Sequence, residues 1–369
     1  MSETLSPHTP AAEVRQDVDW MPGAGVEVCP TCKRVFLIPA QKSKQTCPLC
    51  YQADLVPQPG FVRQEAPEVI LPAQLTTGDL QQKLTKFIDG VPYCVEDLSV
   101  ENLMNRAQVV WWPLWLVDAD LEGNWTGSMG FDYQVRTAKE NFGDQGWQSK
   151  QVLRTQTRYE PRQGTIKRHY DNIQVPALRS HEKRMEQIGK YDQKSSVFFQ
   201  AGMVSQNSVQ LPEIEPQELL EVAQTRLHNA AEQEIMQASA AQHRQNVKFT
   251  GNYLNFNWTQ YLLPLISTSY RDEDGGTHPI ILNGQTGKIY GKRLASMRKA
   301  TQWTLGLMAV PALLLMAAIV IFLVAPASLP IKLACGGVIL FFLALLALLP
   351  LLRAYTWNNR ENNSIKDFH

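Results

Sequence analysis

Two stretches near the end of the chain constrain it more than any other feature. Residues 305–324 read LGLMAVPALLLMAAIVIFLV and residues 333–352 read LACGGVILFFLALLALLPLL, with no charge in either. About 20 apolar residues is the helix length that crosses roughly 30 Å of hydrocarbon. A charge at mid-membrane would cost about 2.5–3.5 kcal/mol on insertion scales. A buried core helix could also hide such a stretch, but core helices are rarely this long without a polar break. The sequence therefore predicts a transmembrane helical hairpin over 301–353. Its loop, 325–332, is too short for a domain, so both flanks share one side. Lys288, Lys292, Arg293, Arg298 and Lys299 precede the hairpin and Arg353, Arg360 and Lys366 follow it, against Lys332 alone in the loop. The positive-inside bias places both termini, including a tail over 354–369, in the cytoplasm. Trp303, Tyr355 and Trp357 fit an interfacial aromatic belt. With no acid, base or amide inside either apolar stretch there is no obvious ion path or proton relay, so the hairpin reads as an anchor. Small residues at Ala334, Gly336, Gly337, Ala344 and Ala347 suit close helix packing, within one chain or in a homo-oligomer.

What precedes the hairpin is polar and mixed in charge. Lys plus Arg (35) equals Asp plus Glu (35), so there is no basic excess of the kind that coats nucleic acid. Residues 1–25 contain no apolar segment that would serve as an export signal and read as a disordered tail.

The strongest local motif is a pair of C-x-x-C turns, Cys29-Pro-Thr-Cys32 and Cys47-Pro-Leu-Cys50, separated by residues 33–46. Each turn offers two thiolates, and a hairpin between them completes a tetrahedral site. This is metal spacing, not a secreted disulfide framework. It predicts a zinc ribbon over 26–52, with Cys29, Cys32, Cys47 and Cys50 as ligands and Val35 to Ile38 as a strand. Four protein ligands leave no open position, so the zinc is expected to be structural. Rubredoxin-like iron is the alternative occupant. Lys33 and Tyr51 stand where many such knuckles have glycine. A thiolate site with no export signal favours a reducing compartment.

A linker is expected over 53–75 and an α+β cytoplasmic domain over 76–300. Leu80, Leu84, Phe87 and Ile88 follow an N-cap candidate at helical spacing. Residues 109–118 read as an aromatic strand, 122–127 as a turn, and 151–159, 165–175 and 196–204 as further strands. A short charged helix is expected over 179–191. A long helix follows from Pro216 to about His243, with Leu219, Ala223, Leu227, Ala231 and Ile235 on one face. Strands return at 247–257 and 260–270, and a hairpin turns on Asn283-Gly284. Helix then strands, twice over, suggests two similar units.

Signs of catalysis are lacking. Gly284-Gln-Thr-Gly-Lys288 resembles a phosphate loop, but Leu282 stands where a glycine is needed and Ile289 where Ser or Thr is needed. The histidines lack ligand spacing. Asp118, Asp120 and Glu122 read as a solvated turn, and Cys94 and Cys335 as small apolar fillers. Lys33, Arg34, Lys42 and Lys44 tint the ribbon basic without the aromatic interleaving of a base-stacking surface.

Together, the two cysteine pairs, the helix leading into Trp112-Pro-Leu-Trp-Leu-Val-Asp-Ala119, the second helix leading to Tyr261-Leu-Leu-Pro-Leu-Ile-Ser267, and Asn283-Gly-Gln-Thr-Gly-Lys288 ahead of the hairpin resemble a bacterial family of TFIIB-type zinc-ribbon membrane proteins. The likeness covers most of the chain. It departs at the missing knuckle glycines and in a longer segment between Gly127 and Leu211. The resemblance implies a non-enzymatic adaptor of the bacterial inner membrane, active in envelope stress, with PspA-like and SPFH or virion-core-like proteins as partners.

Overall fold

The computed structural model describes residues 20–42, 45–58, 65–144, 146–200, 202–324 and 340–364. Most of the expected N-terminal tail, Lys44, Lys332 and Cys335 lie outside the described residues. The chain forms two compact units, one of residues 1–112, 182–211 and 262–369, the other of 113–181 and 212–261.

The first unit is a mixed sheet carrying the cysteine cluster and the two apolar helices. Its strands are β1 (Gly25–Val28), β2 (Val35–Ile38), β3 (Val56–Pro57), β4 (Val69–Ile70), the start of β5 (Gln108–Gly143), β7 (Val197–Phe198), β8 (Ser208–Gln210), the end of β9 (His243–Arg271), β10 (Thr277–Asn283) and β11 (Ile289–Gly291). The order is β11-β10-β9-β5-β8-β2-β1-β3, with β4 beside β9 and β7. Only β5 and β8 pair in parallel among the described registers, Val110 opposite Ser208. Helix α1 (Thr77–Ile88) starts in a capping box, in which Thr76 and Asp79 each accept from the other's backbone N–H. Ser99 caps α2 (Val100–Arg106) through the Asn102 N–H. Leu84, Leu98 and Leu103 from this helical segment pack on Ile266, Tyr270, Ile280 and Leu282. A second core gathers Trp20, Val26, Leu37, Ile70, Trp111, Val209 and Leu262.

That second core corrects the expected domain pattern. The ribbon over 26–52 is not set off by a linker. Strand β2 pairs with β8 (Phe36 opposite Gln210, Leu37 opposite Val209), and the supposed linker supplies β3, β4 and the buried Ile70 and Leu71. Ribbon side chains that a free-standing knuckle would leave wet are buried here among distant parts of the chain.

The second unit is a long antiparallel hairpin, β5 and β6 (Gly146–Pro176), with the first part of β9 alongside β5. Helix α4 (Leu220–Ser239) packs on one face. Trp115, Val117, Ala119 and Leu121 alternate inward along β5 and meet Leu219, Ala223, Leu227 and Ala231, spaced four apart. The expected turn at 122–127 is instead mid-strand. Gly123 is not a turn former: a Cβ there would come within 2.6 Å of the Gly251 Cα, so the glycines let β5 and β9 approach closely. The strands expected at 151–159 and 165–175 are one, as are those at 247–257 and 260–270. Of the described residues in 196–204, only Val197–Phe198 is strand. Helix α4 stops before His243 because Ala240 takes the left-handed conformation (φ 53°) and closes the helix end.

Two helices are long and apolar enough to cross a membrane, Met297–Val320 and Leu340–Asn363. In their most apolar stretches only 11 % and 17 % is buried, unlike a core helix. The segment expected as a tail is helical as far as Ser364. It is bound to the residues preceding the first helix: Arg293 pairs with Glu361 (2.9 Å), Trp357 Nε1 donates to the Arg293 carbonyl (2.6 Å), and Asn358 bonds Ala295 in both directions.

Candidate metal centre

Each cysteine pair sits in a tight turn fixed by its own backbone. In the first, Lys33 N–H donates to the Cys29 carbonyl (2.9 Å) and Cys29 N–H to the Arg34 carbonyl (3.0 Å). In the second, Tyr51 N–H donates to the Cys47 carbonyl (3.1 Å) and Cys47 N–H to the Ala53 carbonyl (2.8 Å). The two turns thus share one closing bond, from the residue after the second cysteine back to the carbonyl of the first. Closing each requires positive φ just after the second cysteine, and Lys33 (59°) and Tyr51 (55°) adopt it despite their side chains. Such a conformation costs roughly 1–3 kcal/mol in a non-glycine residue. Tyr51 has an offsetting contact, its hydroxyl donating to Ser267 Oγ at 3.1 Å; burial pushes its phenol up to about 12.

The four predicted ligands come together. Cys29 and Cys50 sulfurs are 3.5 Å apart, Cys32 and Cys47 sulfurs 3.7 Å, and all four lie within 4.8 Å of one another. Zinc–sulfur bonds of about 2.3 Å in a tetrahedron place sulfurs about 3.8 Å apart, so the donor set fits a four-coordinate thiolate centre. Cys29 and Cys47 are fully buried, while Cys32 and Cys50 are partly exposed. Cys32 N–H points at Cys29 Sγ (3.4 Å), a backbone donor suited to a thiolate.

Thiols this close cannot all ionise unaided. Hydrogen bonds from Cys47 and Cys50 hold the Cys32 thiol far below its ordinary range. Hydrogen bonding to Cys32 and Cys50, then burial, pushes Cys47 up. Cys50 rises to about 11, chiefly through its hydrogen bond to Cys32. A divalent cation held by the four sulfurs would resolve that conflict by taking all of them as thiolates. A cavity of about 510 Å³ opens beside Cys32 and Cys50, lined by Arg34, Leu49, His278 and Lys292 among others and by no carboxylate. Two cations there suit a net-negative tetrathiolate centre.

Elsewhere the structure turns sequence candidates into structural parts. Asp118, Asp120 and Glu122 are not a solvated turn. They face across the strands: Asp118 accepts from Asn172 N–H (2.8 Å), Asp120 meets His169 (2.6 Å) and Asn255 (2.7 Å), and Glu122 meets Lys167 (2.6 Å). Asn255, then His169, keeps the Asp120 carboxyl below its usual range. Asn283 is buried, and its Oδ1 accepts from Gln285 and Thr286 N–H, making 283–288 a hairpin turn. Cys94 donates to the Leu98 carbonyl (3.2 Å), and burial pushes its thiol up.

Charged residues inside the first unit went unforeseen. Glu27, on the strand entering the first knuckle, is buried. Arg184 is 5 % exposed, donates to Gln210 Oε1 (2.9 Å) and lies 5.3 Å from the Trp112 ring centroid. Its segment reads as a short charged helix, and the inward face of α3 (His181–Ile188), made by His181, Arg184 and Ile188, leaves little trace in so polar a stretch. Comparison with protein-family models, with curated proteins and with solved structures returned no match.

Proposed function

We propose that the protein is a non-enzymatic scaffold, held to the cytoplasmic face of a bacterial inner membrane by its two apolar helices, with a structural zinc in the four-cysteine cluster. The observation that carries this reading is the clamp of Arg293, Ala295, Trp357, Asn358 and Glu361. It ties both ends of the apolar pair to the unit bearing the cysteines, as an anchor requires. Arg293 also lies 5.6 and 5.2 Å from the Phe87 and Trp357 ring centroids, which helps hold its guanidinium beside Glu361. Four thiolates closing the centre leave no position for substrate or water, which supports docking over catalysis. Soluble PspA-like or SPFH-type proteins are the proposed partners, on the resemblance alone, in membrane maintenance.

Nucleic-acid binding through the ribbon is the rival. Lys42, one of the four cations that reading relies on, is only partly exposed. Purification of the tagged chain from membranes in mild detergent, beside Cys29→Ser/Cys32→Ser, tests the proposal. A soluble protein partner lost in the variant is expected. Nucleic acid in its place, released steeply by salt, would favour the rival.

A further inference from the structure

The far end of the β5–β6 hairpin lacks what a sheet normally needs. Strand β9 begins beside Gly130: Gln242 N–H donates to the Gly130 carbonyl (3.0 Å) and Gln242 Oε1 accepts from Asp132 N–H (3.1 Å). Beyond that point β5 continues to Gly143, paired with β6 on one side. Among the described residues nothing pairs with its other side, and both faces are largely exposed. An isolated two-stranded ribbon is marginally stable in water, and a free edge is a template for another strand.

The contacts at Gly130 and Asp132 show that even-numbered residues turn their backbone groups toward this edge. Gln134, Arg136, Ala138, Glu140 and Phe142 therefore offer paired donors and acceptors along it. A second copy can add there in antiparallel fashion about a two-fold axis, and the register is selected by charge. Centring on Ala138 sets Arg136 opposite Glu140 of the other copy, and Glu140 opposite its Arg136. Centring on Arg136, Lys139 or Glu140 would set like charges face to face, and centring on Thr137 would pair neither. The other edge, on β6, carries Lys150, Arg154, Arg158 and Arg162 against Glu160 alone over 146–162, so it is net positive, and Glu160 is already paired with Arg158 and Arg162.

We infer that two copies of this chain join through residues 134–142 of β5, antiparallel and centred on Ala138, making a continuous β6–β5–β5–β6 sheet. The interface is isologous, so each charge pair occurs twice. Opposed residues of a hydrogen-bonded pair have Cα atoms about 5.5 Å apart, within disulfide range.

The test uses the full chain in detergent. Ala138→Cys should cross-link to itself under mild copper-catalysed oxidation, in contrast to the unsubstituted chain and to Ser149→Cys. By light scattering, Arg136→Glu should weaken dimerisation at least tenfold, and Arg136→Glu/Glu140→Arg should restore it. A monomeric parent, an Ala138→Cys chain that cross-links no better than Ser149→Cys, or a dimer indifferent to the charge reversal and its compensation would each overturn the inference. The last would place the contact elsewhere, for instance between the apolar helices.

Discussion

The hairpins β1–β2 and β5–β6 are the same device at two scales, stabilised by different means. The first has four residues in each strand; the second has 36 and 31, where about 5–6 is usual. The short hairpin turns on the Cys29–Cys32 knuckle and is held along its length by burial of Phe36, Leu37 and Ile38. The long one is covered by α4 at its base and bare at its tip, where Leu153, Phe142 and Trp147 are 60, 70 and 73 % exposed. Length therefore does not measure stability here. What lies against a hairpin does, and the difference predicts how each should respond to damage.

The largest effect is expected at the short hairpin. Structural zinc contributes on the order of 10 kcal/mol in small metal-folded units. Removing one ligand with Cys47→Ser should abolish metal retention and lower the melting temperature of the first unit. Because β2 pairs with β8, hydrogen exchange should accelerate at 208–210 as well as at 25–57; acceleration confined to 25–57 would mean the ribbon folds by itself after all. Next comes the base of the long hairpin. Gly123→Val forces a side chain against Gly251 and should destabilise the second unit by about 1–3 kcal/mol, seen as earlier exchange along 114–131 and in α4.

Asp97 is a third test, within the first unit and away from the metal. It takes two hydrogen bonds from Arg106 (2.5 and 2.7 Å) and one from Arg271 N–H (2.7 Å), and Arg106 first, with the Arg271 N–H, holds its carboxyl below the ordinary range. A lowered folded pKa means the contribution is complete above the unfolded value of about 4 and disappears as pH falls through the lowered one. Asp97→Asn should cost about 0.5–1 kcal/mol at neutral pH in denaturant melts, the pair being partly exposed and screened, and the gap to the parent should close in acid. The smallest effect belongs to the strained knuckle: Lys33→Gly should be neutral or stabilising by up to about 1 kcal/mol, since glycine accepts φ of 59° without a Cβ clash. A loss there would show that the lysine side chain contributes more than its backbone costs.

The parts legible from sequence were those with short-range physics. C-x-x-C spacing brings four sulfurs together because each turn is local. The α1 cap and the face of Ala223, Leu227, Ala231 and Ile235 follow from helical periodicity. The turn at Asn283 follows from one side chain bonding its own backbone. What was hidden is long-range. Gly123 and Gly127 look like turn residues, and only a neighbouring strand in close contact explains them in mid-strand. The pairing of Leu37 with Val209 links residues that nothing local connects, so the ribbon looked like a separate module. Glu27 and Arg184 are buried through surroundings assembled from distant segments. The paired, bulk-apolar C-terminal helices stood out by length, but their clamp to residues 293–295 did not, since Asn358 and Glu361 look like ordinary polar tail residues.

The central claim is that Cys29, Cys32, Cys47 and Cys50 hold one structural zinc. Metal content of the full chain purified from membranes, measured by mass spectrometry beside the Cys29→Ser and Cys47→Ser chains, tests it most directly. One zinc per chain, absent from both variants, is the predicted result. Zinc retained at full stoichiometry in the variants, or iron with visible absorbance in the parent, would contradict it.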